Sequence, residues 1–341
     1  EIVGTGSYLA LSEVEFSGEK PIAPTAAETK YQATPWDKLA ASPAAGLQLR
    51  RDGNAYILEN NLVVYVVEPE NGGIVNYAYD RSIKFNFIKY ETNNIYGGMF
   101  NDRFWPGGTT ARDMFAGIAY KATVVTNGSH VKELKLSANG KSGIFANVTV
   151  EKTYILRDDS PVLTVNYQVI NDQVNVIPLQ YGLWIMGGVS SETPFRLIYP
   201  AATRTEAVPA KLQTLFYPGA VQGWCGAIQD SGQGLALLAE YPLVKNFAFW
   251  GNSTIASTVE CRLGIYAINA NDKLNTTFAL TPFYGIGLPD SISPFMAGHL
   301  GLAPEYTSSS VIKLLPLRPG KYTVTIEKGR LTDGKVTFKP V

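Results

Sequence analysis

The feature that most constrains this chain is the spacing of its turns. From residue 55 to residue 283, short apolar or alternating segments follow one another between clusters of Gly, Asn, Asp, Ser and Pro. That is the pattern of antiparallel strands joined by tight turns. Strands are expected at 55–59, 61–67 and 74–79, with Glu70-Asn71-Gly72-Gly73 as the turn between the last two. Further strands are expected at 118–126, 130–138, 145–156, 162–170, 179–186, 195–199, 223–229, 234–240, 259–267 and 276–283. Helical periodicity is nearly absent. Only 35–41 and 292–298 offer a turn or two of helix, each bounded by Pro or Gly. A last group at 311–315, 320–328 and 334–339 is punctuated by Pro319-Gly320 and Asp333-Gly334. No segment repeats at a fixed period, which argues against a propeller or solenoid. The expected class is all-β: a large antiparallel sandwich over 49–300, preceded by an extended arm over 1–48 and followed by β hairpins over 301–341 that close the domain or belong to a small appended β module.

Composition narrows the function classes. With 341 residues, 45% of them hydrophobic, the chain can bury a large core. Its 29 basic and 29 acidic residues cancel, so no long-range field attracts nucleic acid or an anionic surface. No apolar run is long enough to span a bilayer as a helix. The sequence starts at Glu1-Ile2 without a Met and leader, so a secretory signal already removed is expected, placing the protein outside the cell or at its surface. Cys225 and Cys261 lie in apolar stretches and are either one disulfide or two buried thiols. Asn127, Asn147, Asn252 and Asn275 each open an N-x-S/T triplet and are candidate glycosylation sites, although a chain this rich in Asn, Ser and Thr produces such triplets by chance.

One block is specific. Glu151-Lys152-Thr153-Tyr154-Ile155-Leu156-Arg157-Asp158-Asp159-Ser160-Pro161-Val162-Leu163-Thr164-Val165-Asn166-Tyr167-Gln168-Val169-Ile170-Asn171 forms two alternating strands around an acidic turn. It resembles the central hairpin of the galactose mutarotase-like supersandwich proteins. Other strands and turns between residues 54 and 287 follow in the expected order. The pattern is most similar to non-enzymatic members such as the periplasmic domain of the bacterial membrane-insertase family, and to sandwich domains attached to glycoside hydrolases. The resemblance implies a broad curved antiparallel sheet and a carbohydrate-binding type of fold.

Catalytic chemistry is thinly represented. A mutarotase of this superfamily uses a histidine acid and a carboxylate base, and the chain has two histidines, His130 at a Gly-Ser turn and His299 beside Gly298, neither in the expected strand motif. A glycosidase needs two carboxyl groups flanking the scissile bond. Asp102 and Asp113 are the candidates, because Asn101-Asp102-Arg103-Phe104-Trp105-Pro106-Gly107-Gly108 groups an acid, a base and two aromatics. As a loop, it would offer Phe104 or Trp105 for stacking on a sugar and Asp102 and Arg103 for its hydroxyls; otherwise the four plug the end of the sandwich. Asp158 and Asp159 are explained by turn preference. Trp184, Trp224, Trp250, Tyr181, Phe247 and Phe249 read as core filling of a curved sheet, with a ligand groove lined by these rings as the alternative. No metal or nucleotide motif is present, and no cofactor is expected.

The arm supplies the remaining expectation. Leu9, Leu11, Val14 and Phe16 alternate, so this segment can add a strand to a sheet edge, of its own chain or of a neighbouring copy. The reading favoured by the sequence is a non-catalytic surface or secreted protein that assembles with copies of itself and binds saccharide or a cell-envelope component. The alternative is a carbohydrate-active enzyme built on Asp102 and Asp113.

Overall fold

The computed structural model describes residues 34–284, apart from 43–45, 91–96, 106–114, 142, 181, 190–194, 201–204, 210–214, 219–222, 230–231, 241–242 and 253–255. It also describes the backbone of five strands nearer the ends of the chain: Ile2–Val3, Val14–Phe16, Val311–Ile312, Gly320–Ile326 and Val336–Pro340.

Two large sheets face each other. The first has nine strands in the order Thr205–Pro209, Phe195–Pro200, Trp224–Gln229, Gly234–Ala239, Asp272–Phe283, Leu163–Asn171, Val148–Arg157, Val131–Asn139 and Lys121–Asn127. The second runs Leu215–Pro218, Val244–Asn252, Ala256–Leu263, Gly182–Val189, Met99–Trp105, Ile74–Asp80, Val63–Glu68, Ala55–Glu59 and Gln48–Asp52, with Phe85–Asn86 as a tenth strand beside Ile74–Asp80. The strand pairs are antiparallel. The all-β sandwich expected from turn spacing is therefore the fold observed. Among the described residues no helix is long and apolar enough to cross a membrane.

Alternation explains the layers. In Val148–Arg157 the even-numbered residues Val148, Val150, Lys152, Tyr154 and Leu156 are buried, while Thr149, Glu151, Thr153 and Ile155 are half-buried on the other face. This strand pairs with Leu163–Asn171 from Val148 opposite Asn171 to Leu156 opposite Leu163, so the acidic turn and its two strands form the middle of the nine-stranded sheet. Their inward residues meet Tyr65, Val67, Phe100, Phe104, Ile185, Phe247 and Cys261 of the other sheet in one continuous core. Full burial of each large apolar side chain is worth about 1.5–3 kcal/mol, which makes this layer the main source of stability.

The short helix Asp37–Ala40 lies on the outside of the ten-stranded sheet, where Trp36, Leu39 and Ala40 pack on Tyr77, Tyr79, Val64 and Val66. Tyr77 Oη donates to Asp37 Oδ1 at 3.0 Å and ties it down. The helix expected at 292–298 falls outside the described residues.

Among the strands of four or more residues, five were not expected: Gln48–Asp52, Met99–Trp105, Thr205–Pro209, Leu215–Pro218 and Val244–Asn252. They carry polar or proline-containing segments whose alternation is short or interrupted. Their strand character comes from paired neighbours rather than local propensity. The arm is also tied within its own chain: Val14 and Phe16 lie opposite Tyr322 and Gly320, and Ile2 opposite Ile312. Leu9 and Leu11 are outside the described residues.

Candidate functional site

In the segment read as a glycine-rich loop, contacting a sugar or plugging the end of the sandwich, Met99–Trp105 is a strand in the middle of the ten-stranded sheet. Its alternation divides the four candidates. Asp102 and Phe104 point into the core; Arg103 and Trp105 point to the outer face. Phe104 is fully buried against Phe115 and Phe145 and offers no face to a sugar. Asp113 lies outside the described residues.

Asp102 belongs to a polar cluster sealed between the sheets. Lys152 Nζ donates to Asp102 Oδ2 at 2.6 Å, to the Phe100 carbonyl at 2.8 Å and to the Gly72 carbonyl at 3.0 Å, which uses all three ammonium hydrogens. Tyr120 Oη donates to Asp102 Oδ2 at 3.1 Å, and Tyr154 Oη to the Gly73 carbonyl at 2.5 Å. Burial raises the Asp102 pKa more than Lys152 and the tyrosines lower it, and burial likewise lowers the Lys152 pKa. Burial, with the Asp102 charge, holds the Tyr120, Tyr154 and Tyr167 phenols well above their usual range. Two backbone departures serve the cluster. Phe100 adopts φ 65° at a bulge and Gly73 φ 59°, and their carbonyls accept from Lys152 and Tyr154. A Cβ on Gly73 would also lie 3.0 Å from the end of the Leu136 side chain, so a substitution there would strain the backbone and displace that side chain.

The outer face of the same sheet carries different chemistry. Trp184 lies between Arg103 and Arg262 on the neighbouring strands, Met186 between Asn101 and Glu260, and Asn246 opposite Arg262. Trp105 and Trp184 pack with ring centroids 5.7 Å apart. The Arg262 guanidinium sits over both the Trp184 ring, at 5.6 Å, and the Tyr266 ring, at 6.0 Å. Glu260 accepts a 2.5 Å hydrogen bond from Thr258 Oγ1. Burial pushes its carboxyl up to about 7, against the downward pull of the Thr258 hydrogen bond and the nearby Arg103. Asn246 Oδ1 and Arg262 Nε are shielded from solvent and have no hydrogen-bond partner among the described residues. Buried polar atoms without partners are uncommon and mark places where a ligand can supply them. Trp105 and Arg262 are half-buried and Tyr266 is exposed, so this face is open at its aromatic end.

The nine-stranded sheet has an outer face of its own, with a polar trough of about 440 Å³ bordered by Lys135, Glu151, Thr153, Asn166, Gln168 and Asn275. Its groups largely satisfy one another: Lys135 pairs with Glu151 at 2.8 Å, and Gln168 donates to Asn275 at 2.5 Å. Compared with the opposite face it holds fewer unmet hydrogen-bonding needs.

The other sequence candidates are dispersed. His130 is exposed at a hairpin tip, 2.7 Å from Asp158, whose pKa it lowers through that hydrogen bond. His299 and Tyr181 are outside the described residues, and of Trp250 and Asn252 only the backbone is described. Asn127, Asn147 and Asn275 are exposed. Cys225 and Cys261 are free, buried thiols in this structure. Trp224, Phe247 and Phe249 are core residues as expected, whereas Trp184 lies on the outer face. Sequence reading missed Glu260, Asn246 and Arg262. Thr258, Glu260 and Arg262 alternate with apolar neighbours as on any solvated strand face, and only the crossing of four strands brings them together.

No protein-family model matches the chain, and no curated protein matches it in sequence. Solved structures do match in fold. A TPR-domain containing protein from Parabacteroides distasonis superposes with TM-score 0.54 at 13% identity over 69% of this chain, which spans about half, 48%, of that protein. A galactose mutarotase-like protein from Clostridium acetobutylicum superposes with TM-score 0.53 at 7% identity, over 71% of this chain and 100% of that one. A Synechocystis protein gives 0.52 at 12% identity, over 71% and 98%. The supersandwich expected from the central hairpin is the fold these structures share with the chain.

Proposed function

We propose that this chain, a protein of galactose mutarotase-like fold, binds a neutral saccharide on the outer face of its ten-stranded sheet. The observation that carries this reading is the grouping there of the Trp105–Trp184 pair with Glu260 and with the unused acceptor and donor of Asn246 and Arg262. Aromatic rings stack on the apolar face of a pyranose, while amide, guanidinium and carboxyl groups take its hydroxyls. The relatives in fold support a saccharide as the ligand class, and the zero net charge of the chain favours a neutral one.

Isothermal titration calorimetry against a panel of neutral mono- and oligosaccharides tests the proposal. At least one should bind, and Trp184→Ala and Arg262→Ala should each weaken it by about tenfold or more, the effect of losing roughly 1.4 kcal/mol. A panel without a ligand, or a ligand indifferent to both substitutions, would sink the reading.

Glu260 favours a second reading, turnover. A carboxyl with a pKa of about 7 can take or give a proton at neutral pH, as a group acting on a sugar hydroxyl must. Polarimetry of freshly dissolved sugars with the intact chain and with Glu260→Gln checks it; equal rates exclude it. Assembly through the arm is a separate proposal, since exchanging Val14–Phe16 between copies would preserve its pairing with Gly320–Tyr322. Light scattering on a chain lacking residues 1–20 tests that exchange.

A further inference from the structure

The two large sheets have four lateral edges, and their outermost strands are not alike. Thr205–Pro209 and Leu215–Pro218 each end in proline, and Gln48–Asp52 carries Arg50, Arg51 and Asp52. Proline and charge are the usual protection of a sheet edge. Lys121–Asn127 has no proline and a single charge, at its first residue, followed by Ala122-Thr123-Val124-Val125-Thr126. Along it the residues are exposed or half-buried.

Two valines stand out. Val124 pairs with Leu134, and Ala122 with Leu136, both fully buried in the core. Val124 therefore points to the core side of the sheet, yet it is 45% exposed. Val125, the extra residue at a bulge opposite Glu133 and Leu134, is 54% exposed. The sandwich is left uncovered along this edge, next to a row of backbone groups directed outward.

We propose that a second copy of the chain docks here, with Lys121–Asn127 pairing antiparallel to its counterpart and joining the two nine-stranded sheets across a two-fold axis. The backbone edge calls for a β-strand, and the side chains point to this particular one. Thr123-Val124-Val125-Thr126 reads the same in both directions, so two-fold pairing about its centre sets Val124 opposite the partner's Val125, and Thr123 opposite the partner's Thr126. Both are favourable cross-strand pairs. Lys121 falls at opposite ends of the joined ladder, so no like charges face each other. An isologous contact of this kind closes on itself rather than propagating. The bulge increases local twist and keeps the shared ladder short, so the dimer dissociates on dilution.

Light scattering of the full chain over a dilution series tests the proposal. The mass should rise with concentration towards twice that of one chain. Val125→Lys should raise the dissociation constant about tenfold or more, with the melting midpoint unchanged when both chains are measured at a dilution where they are monomeric, because the side chain is exposed there. If Val125→Lys melts early, Thr123→Lys at the neighbouring exposed position repeats the measurement. Removing residues 1–20 should leave the dimer intact. A chain that stays monomeric throughout, or an oligomer that ignores both lysine substitutions, overturns the proposal, as does a dimer lost only when the arm is removed.

Discussion

Lys152 Nζ on the nine-stranded sheet lies 2.6 Å from Asp102 Oδ2 on the ten-stranded sheet, with neither side chain reached by solvent. This pair spans the sandwich where apolar contacts would be ordinary. Two ions removed from water repay their desolvation only with close geometry and further hydrogen bonds. Here the Phe100 and Gly72 carbonyls and the Tyr120 hydroxyl provide them. The pair therefore also holds the Gly72-Gly73 turn and the bulge at Phe100 against the opposite sheet.

Removing one partner should be far worse than removing both. Lys152→Met leaves Asp102 buried without its cation, and we expect a loss of about 3–5 kcal/mol. The double change Lys152→Met with Asp102→Leu should recover much of it, since an apolar pair carries no desolvation penalty. Urea unfolding of the three chains checks this. A double variant no more stable than Lys152→Met alone would show that hydrogen bonding to the turn, not charge, is what matters.

Glu260 should impose a pH dependence on stability. Its carboxyl has a pKa of about 7 in the folded chain, against 4.5 as a free group. Between these values the folded chain holds a proton that the unfolded chain has released. Its contribution is thus fully present below about pH 4.5 and is lost as pH rises through about 7. At 1.36 kcal/mol per unit the whole effect is about 3 kcal/mol. Glu260→Gln should flatten this slope in urea midpoints measured across the window; an unchanged slope would assign it to other groups.

The two thiols should be silent in the folded state. Both are fully buried, and burial pushes their pKa values far up, so almost no thiolate is present at neutral pH. A thiol-reactive disulfide reagent should label neither Cys225 nor Cys261 in buffer and both in concentrated urea. Labelling in buffer would reveal local opening between strands Trp224–Gln229 and Ala256–Leu263.

Much of the fold was legible locally. The alternation on either side of Asp158-Asp159 places the central hairpin, and Gly72-Gly73 marks the turn before Ile74–Asp80. Met99–Trp105 was not legible, because Asn101-Asp102-Arg103 reads as a polar loop when its buried partner, Lys152, is unknown. Arg103 and Trp105 were singled out together as part of a loop, whereas both lie on strand Met99–Trp105. Glu260 carried no signal at all: its strand looks like any other with one polar face.

The sequence by itself determined the all-β class, the turns and the period-two division of each strand into two faces, since these depend on backbone geometry and near neighbours. Only the tertiary structure decided what each face meets. A period of two says that Asp102 and Arg103 point oppositely, not which is sealed beneath a second sheet. Asp102 became an inward ion-pair partner because Lys152 lies across the core from it. Arg103 joined Glu260 and the tryptophans because strands distant in sequence lie side by side. Burial and electrostatics act through space, and that space is set by the packing of the two sheets.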